Sequence, residues 1–553
     1  MGKVKNKETV LEVELRQGRV SRAPYRAAPG WWERVGNTID NAIGLVSPGR
    51  ALRRQFARNR RYAMQSASRI IQARLDASDA ADVSRLTSSW PTTGGSADAD
   101  ILDDLAKLRA RSRELVRNNG HASGIIGAIV NNVVGTGIRV QSQADGAILG
   151  LDDDDTDSLQ DNQERVWKLW ARRCDAAGRL SLYALERQVC RQILENGEAF
   201  LIRADVKGRP FRFAWMPVEA DRIDSPPQYD HRSDKDIRKG IEIGSQGEPI
   251  AYWVLKNHPG DDTVIKPKEY TRIPAFDKDG RPNVLHIFDQ RRPGQRRGVP
   301  FLRPAMAYFK HLSEYLEAEL VAARVAACFA LIINDEGDPA MTAGTGELTT
   351  VDGQIVEALE PGMILRGSGI SPTQIKPDRP GETFDPFVKN ILRTIAAGCE
   401  VPYELVAKDF SQSNYSNMRG AFLEARRFFR VYQQLISDGL VIPSWELVQE
   451  EAFLRGMVDL PGFYENRDAY LRVSTVPPGW EWVDPKNEVE AALKAIAGNI
   501  ATQADTVASH GGDGDEVLRQ RAREKKKAKE LGLEEEKEKQ DEGLSPGTDE
   551  QES

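Results

Sequence analysis

Arg291, Arg292, Arg296 and Arg297 crowd a single Pro-Gly turn in LHIFDQRRPGQRRGVPFLRPA, residues 285–305. Guanidinium groups are planar, permanently charged and bidentate, so the cluster suits carboxylates or phosphates rather than proton transfer. LDDDDTD, residues 151–157, is a second dense run of charge. Grouped carboxylates can bind a hard cation, but the alternation and closing Glu of an EF-hand loop are missing. The run precedes a helix-like stretch, where aspartates favour the positive N-terminus, so a surface turn and helix cap is expected. A metal-dependent nuclease using Asp152–Asp155 and a distant Glu is the best enzyme hypothesis these residues support. No GxxxxGK[ST] or HExxH occurs. GTG at 135–137 follows a helix-like run instead of opening one, and GSGIS at 367–371 lacks the setting of a nucleophile elbow.

Cys174, Cys190, Cys328 and Cys399 are widely spaced without a CxxC, and the six histidines are scattered, so neither a metal site nor a cofactor is expected. The 553 residues are too many for one simple core, and several lobes are expected. Lys plus Arg number 76 against 83 Asp plus Glu, a net charge of −7, which argues against a wholesale basic nucleic-acid binder but leaves room for local patches. The first residues, MGKVKNKETVLEVELRQG, lack the apolar core of a signal peptide, and no stretch approaches the ~20 apolar residues that span a bilayer. A soluble intracellular protein without a membrane partner is expected.

The elements that must position these residues follow from periodicity. Residues 48–75 carry eight arginines among Leu52, Phe56, Ile70 and Ile71, a basic face for a neighbouring lobe or subunit, with nucleic acid or a lipid surface as the alternatives. SSWPTTGGSADAD (88–100) is a linker, after which Asp98 or Asp100 can cap a helix through Leu102, Leu105, Leu108, Leu115 and Val116. That helix halts near RNNG (117–120). A small-residue helix follows, whose Gly124 and Ala128 would let another backbone come close, and Gly135 and Gly137 hand it to a strand. A helix at 181–195 turns at ENGE into AFLIR, and β runs continue at 211–218, 241–255 and 284–289. Then a helix over 300–330 keeps Phe309, Leu312, Leu316 and Leu320 on one side, and FALIIND and GMILRG read as strands. An amphipathic helix around Phe387, Ile391, Leu392 and Ile395 breaks at Pro402. KDFSQSNYSNMRG is a polar loop. A helix from Ser416 or Asn417 aligns Arg419, Arg426 and Arg430 and stops at Asp438-Gly439, with further helices at 445–456 and 486–500. From Gly511 the tail alternates RQRAREKKKAKE with LEEEKEKQDEG and fades into polar disorder.

Several segments, taken in order, resemble the portal proteins of tailed phages, of the lambda type. They are RNNGHASGIIGAIVNNVVGTGIRVQ (117–141), ENGEAFLIR (195–203), VLHIFDQRRPGQRRGVPFLRPAM (284–306), the long run from GMILRGSGIS to EARRFF (362–429), and GWEWVDPKNEVEAALKAI (479–496). The resemblance covers roughly residues 100–535. It implies an α+β portal fold, with a mixed α/β wing, a helical stem, a small α/β clip and a helical crown, assembling into a ring of commonly twelve subunits. On this chain the parts fall as a basic N-terminal arm and linker (1–95), first wing part (96–298), stem helix 1 (299–328), clip (329–383), stem helix 2 (384–404), tunnel loop (405–419), helical second wing part (420–482), crown helices (483–535) and a disordered tail (536–553).

The implied function is a non-enzymatic channel at the capsid vertex of the virion, for DNA packaging and ejection, assembled in the host cytoplasm. The implied partners are double-stranded DNA without sequence specificity, the terminase large subunit, a head–tail adaptor, and the major capsid and scaffold proteins. DNA must slide, so strong phosphate binding in the bore is harmful. Glu314, Glu317 and Glu319 are the channel-facing stem candidates, and an ordinary solvated helix face is the alternative for them. Lys408, Gln412, Ser413, Asn414, Tyr415 and Asn417 are the tunnel-loop candidates. Arg291, Arg292, Arg296 and Arg297 mark the wing–stem junction, where pairing with a neighbouring subunit is favoured over DNA. Besides the nuclease, a minor capsid or scaffold protein without a channel is the competing reading.

Overall fold

A computed structural model describes residues 91–227, 236–261, 268–328, 331–335, 364–368, 384–411, 414–480 and 484–531, with Ser47, Gly49, Phe56, Ala57, Arg85, Ser88 and Ser89 before them. The chain divides into two units, Met1–Gly94 and Gly95–Ser553, and every element named below lies in the second. Most of the basic run 48–75 and all of the expected tail 536–553 fall outside the described residues.

Ser96 opens α1 (Ala97–Ile101), its hydroxyl accepting from the Ala99 N–H at 3.1 Å. The cap expected of Asp98 or Asp100 thus falls to Ser96, and the two aspartates are engaged by arginines described below. α2 (Leu105–Asn118) meets α3 (Gly120–Val133) at Asn119, whose side chain accepts from Ala122 N–H. α3 buries Ala122, Ile125, Ile126, Ile129, Val130 and Val133. The close backbone approach expected at Gly124 is not found: a Cβ there would meet only Lys408 Cε, at 4.0 Å. The chain turns through Gly135 and Gly137 into β1 (Arg139–Ser142). Asp152 caps α4 (Asp153–Ala171) by accepting from Asp155 N–H at 2.8 Å, as the sequence leads one to expect.

α5 (Leu182–Asn196) ends on Gly197 at φ 91°, and β2 (Glu198–Asp205) starts at once. A Cβ at Gly197 would overlap the backbone of Val299, so the turn serves close approach as well as direction. β2 is the middle of an antiparallel sheet, between β3 (Phe213–Val218) and β8 (Val284–Phe288). A second antiparallel sheet runs β4 (Ile237–Arg238), β5 (Ile241–Ile243), β6 (Pro249–Leu255), β7 (Tyr270–Pro274). Alternate residues of β2 enter different cores. Ala199 and Leu201 join the helical core with Trp215 and Ile287, whereas Phe200 and Ile202 face Ile241, Tyr252 and Val254. Burial on both faces is why AFLIR reads as an almost unbroken apolar run.

α6 (Met306–Cys328) begins six residues later than the expected 300, because Pro300 and Pro304 interrupt the backbone ladder and Phe301 and Leu302 are buried as turns. β9 (Leu331–Asp335) and β10 (Ile364–Ser368) pair in parallel. α7 (Phe384–Gly398) ends before a tight corner with Glu400 at φ 53°, and α8 (Tyr403–Ala407) restarts after Pro402. α9 (Tyr415–Ile436) was expected to stop at Asp438-Gly439. Instead a π-helical turn, Ser437–Val441, carries it into α10 (Ile442–Leu454). Gly439 is there for space: a Cβ would stand 2.8 Å from Ile287 Cγ2 on β8. β11 (Val473–Val476) pairs antiparallel with β1. α11 (Pro485–Ala497), α12 (Gln503–Ser509) and α13 (Gly514–Glu530) complete the described chain, so the tail expected to fade from Gly511 contains a helix. The architecture is α+β, as expected from sequence.

Candidate stem, loop and junction site

α6 and α7 lie antiparallel. The start of α7 stacks Phe384 on Tyr315 in the middle of α6 and sets Phe387 edge-on to it, at 5.8 and 5.1 Å between ring centroids. Its end brings Gly398 beside Pro304, just before α6 begins. Phe309 and Leu312 are fully buried and Leu316 partly so, but Leu320 and Val321 further along are half exposed, as is Phe387. The apolar side of α6 is therefore covered to Leu316 and half exposed at Leu320 and Val321. Glu314 and Glu317 are exposed and Glu319 is half-buried. Glu314 lies 3.6 Å from Lys310 and 3.7 Å from His311, so part of its charge is met within its own helix.

The polar loop is shorter than the expected 405–419, because α8 includes residues 405–407 and α9 already begins at Tyr415. Lys408 ends α8 in the left-handed region at φ 56°, exposed, its stem over Gly124. Asp409 accepts from the backbone N–H and hydroxyl of Ser411. Gln412 and Ser413 lie outside the described residues. The Asn414 side chain accepts from Asn417 N–H at 2.8 Å and caps α9, which Tyr415 opens. Asn414 is thus fixed as a helix cap, while the Asn417 side chain is exposed. His121 of α3 contacts the Val406 carbonyl at 3.2 Å and anchors the base of the loop. Arg426 and Arg430 lie 5.5 and 5.9 Å from the Trp480 ring, so the arginine stripe of α9 receives the returning chain.

The four junction arginines, equivalent in sequence, separate in depth. Arg291 bonds Asp289 at 2.9 Å, in the open. Arg292 reaches Asp100 at 2.7 Å and the Gly95 carbonyl at 3.0 Å. Arg296 is 3.3 Å from Asp98, whose carboxylate also accepts the Arg296 backbone N–H. Arg297 is 1% exposed. It pairs with Glu198 at 2.7 Å and donates to the carbonyls of Ile223, Ala220 and Lys239. The expectation that all four serve a neighbouring subunit or DNA fails for Arg297, because its donors are consumed inside its own subunit. Arg292 and Arg296 instead tie the junction to α1.

Sequence reasoning missed the acceptor of this network. Glu198 is fully buried and takes bonds from Arg297, Arg109 of α2, His286 of β8 at 2.9 Å and Gly298 N–H at 2.9 Å. Burial by itself would raise its carboxyl, but Arg297 and Arg109, with help from His286, hold it well below the usual carboxylate range. Four separate stretches of chain are thereby locked where the sheet gives way to α6. The only signal was an acid directly after Gly197 at the start of an apolar strand.

Among the described residues one group could hold a metal: Glu219, Asp221 and His258. His258 Nδ1 accepts from Gly260 N–H at 3.0 Å, which puts the proton on Nε2, 3.0 Å from Glu219. Asp221 also pairs with Arg113. One carboxylate of the three is thus already engaged by a guanidinium, while His258 Nε2 is buried without a hydrogen bond. Asp152–Asp155, the carboxylates of the nuclease hypothesis, form an exposed helix cap and, among the described residues, belong to no group of three close ligand atoms. No helix among the described residues is long and apolar enough to cross a membrane.

An α+β body feeding an antiparallel helical pair, with a small parallel strand pair between its two helices, is the arrangement the resemblance implies for a portal subunit. The family model "Phage portal protein, lambda family" matches residues 83–433, and the chain belongs to that family, a structural component of the bacteriophage virion. It is 30% identical over 460 residues to a probable portal protein of Halomonas phage phiHAP-1, covering 81% of this chain and 86% of that one. It is 25% identical over 482 residues to portal protein B of Escherichia phage lambda, covering 80% and 88%. Among solved structures, a chain from the virion of a native gene transfer agent particle aligns over 74% of this chain and 93% of its own, at 16% identity and a TM-score of 0.35.

Proposed function

We propose that copies of this chain close into a ring, commonly of twelve, around a channel through which double-stranded DNA enters and leaves the capsid. In this reading residues 96–298 and 420–482 form the wing, 299–328 and 384–404 the stem, 329–383 the clip and 483–535 the crown. The clip is the docking site for the terminase large subunit and the head–tail adaptor, and the capsid and scaffold proteins surround the ring in the host cytoplasm. The protein works without catalysis, as a conduit for a separate motor.

The observation that carries the reading is the antiparallel α6–α7 pair, whose apolar side is covered to Leu316 and half exposed at Leu320, Val321 and Phe387. An apolar patch left half open on a helical pair suits a neighbour, and identical neighbours supply one by closed symmetry. Glu314 and Glu317 would keep a sliding polyanion from being gripped, and the 408–414 loop, with Asn417 in the first turn of α9, would touch it weakly. Arg291, the most exposed of the junction groups, remains available to a neighbouring subunit. Negative-stain images of purified protein test the reading: rings with a central hole are expected. Sheets, shells or single particles would favour a channel-free capsid component. DNA incubated with the protein and magnesium or manganese should stay uncut, and cleavage would instead favour the nuclease.

A further inference from the structure

Among the described residues many arginines of the body meet carboxylates, Arg109, Arg113, Arg203, Arg212, Arg272, Arg281, Arg292, Arg296 and Arg297 among them. The second half of α13 instead gathers six cations in nine residues. Arg521, Arg523, Lys525, Lys526, Lys527 and Lys529 are exposed and meet no carboxylate among the described residues. Glu524 is the one acid in that span, and it is bonded to Gln520 at 2.8 Å. The first half behaves differently. Arg519 pairs with Asp161 of α4 at 2.5 Å and Glu516 lies 3.7 Å from Arg139 of β1, across an open cleft of about 670 Å³.

Folding gives no reason for this concentration. Cations in the last turn complement the helix dipole, which accounts for Lys527 and Lys529. Arg521, Lys525 and Lys529 stand at i, i+4, i+8, and Arg523 and Lys527 at i, i+4, so like charges repel along two rows. In a chain of net charge −7, such a segment suits a dense anion of regular spacing. We propose that residues 521–529 of α13 bind the phosphate backbone of double-stranded DNA by charge alone, without reading bases. This rests on the portal reading, which supplies DNA as the polyanion. The span covers about 13 Å at 1.5 Å per residue, and duplex DNA presents a charge every ~1.7 Å of its axis. Flexible lysines on several faces fit a contact that forms and breaks, with a separate element from the stem helices carrying it. The acidic run EEEKEKQDE follows in sequence at 534–542 and is the competitor that the test must separate from DNA.

The test is fluorescence anisotropy of full-length protein with two short labelled duplexes of unrelated sequence, titrated between about 50 and 200 mM salt. One variant carries Lys525→Gln, Lys526→Gln, Lys527→Gln and Lys529→Gln, since glutamine keeps the helix propensity. A control carries Lys107→Gln, Lys168→Gln, Lys256→Gln and Lys494→Gln, four lysines already beside carboxylates. Wild type should bind both duplexes equally, with affinity falling steeply as salt rises. The α13 variant should bind roughly tenfold or more weakly at low salt with a shallower salt slope, and the control should stay within about twofold of wild type. Equal affinity of variant and control, or no binding by wild type at low salt, overturns the proposal. The first outcome is what exclusive pairing of the lysines with the acidic run predicts. Negative-stain images of the same samples keep the two ideas apart: rings that ignore DNA sink the α13 site alone, whereas particles without rings sink the portal reading.

Discussion

Arg292 and Arg297 stand five residues apart in one turn, yet losing each has different consequences. Arg297→Ala strands the buried Glu198 carboxylate beside a remaining Arg109, and should lower stability by roughly 3–5 kcal/mol. Arg292→Ala breaks a half-exposed pair with Asp100 and should cost no more than about 1 kcal/mol. Urea denaturation midpoints of the two variants check the contrast. Glu186 supplies a pH dependence. Burial pushes its carboxyl up to about 8, against the partial help of the Ile138 N–H, and its second oxygen has no partner. Below the unfolded value near 4.5 both states hold the proton. As pH rises the unfolded chain ionises first, so this group's stability contribution is lost progressively until the folded carboxyl ionises too, near 8. Glu186→Gln should leave the melting temperature almost unchanged near pH 4 and raise it near pH 8. At this scale the sequence was least informative. Residue type is visible in it but depth is not, and the partner that distinguishes Arg297 lies 99 positions away.

Most helices and strands could be anticipated, because each rests on short-range causes. The α5–Gly197–β2 handover, the Asp152 cap and the hairpin between β5 and β6 all follow from residues within a turn of one another. Gly439 shows where that logic ends. A glycine after an aspartate reads as a helix stop, but here it lets a π-helical turn pass over Ile287, a contact that only the tertiary fold creates. Gly439→Ala should therefore destabilise by about 1–3 kcal/mol through overpacking. Gly420→Ala, in the same helical run with nothing within 4 Å, should stabilise by about 0.5–1 kcal/mol. Thermal melting of both variants reads the difference in sign. The loop expected over 405–419 was overestimated for a related reason: a helix restarts after Pro402 and runs to Ala407, and Asn414, taken for a loop residue, caps the next one.

For the molecule as a whole, the order of segments identified the family, whereas the placement of its functional parts rests on what a lone subunit leaves uncovered. Leu320 and Val321 on α6 and Phe387 on α7 leave a half-exposed apolar patch on the helical pair, which a neighbouring copy would cover. Leu320→Glu with Phe387→Glu should shift the protein to small species on size-exclusion chromatography while leaving its circular dichroism spectrum intact. The mass of the wild-type assembly under native conditions decides whether the ring exists. One dominant species at a fixed, high multiple of the 61.6 kDa chain, near twelvefold, is expected. A stable, well-folded monomer at the same concentration would contradict it.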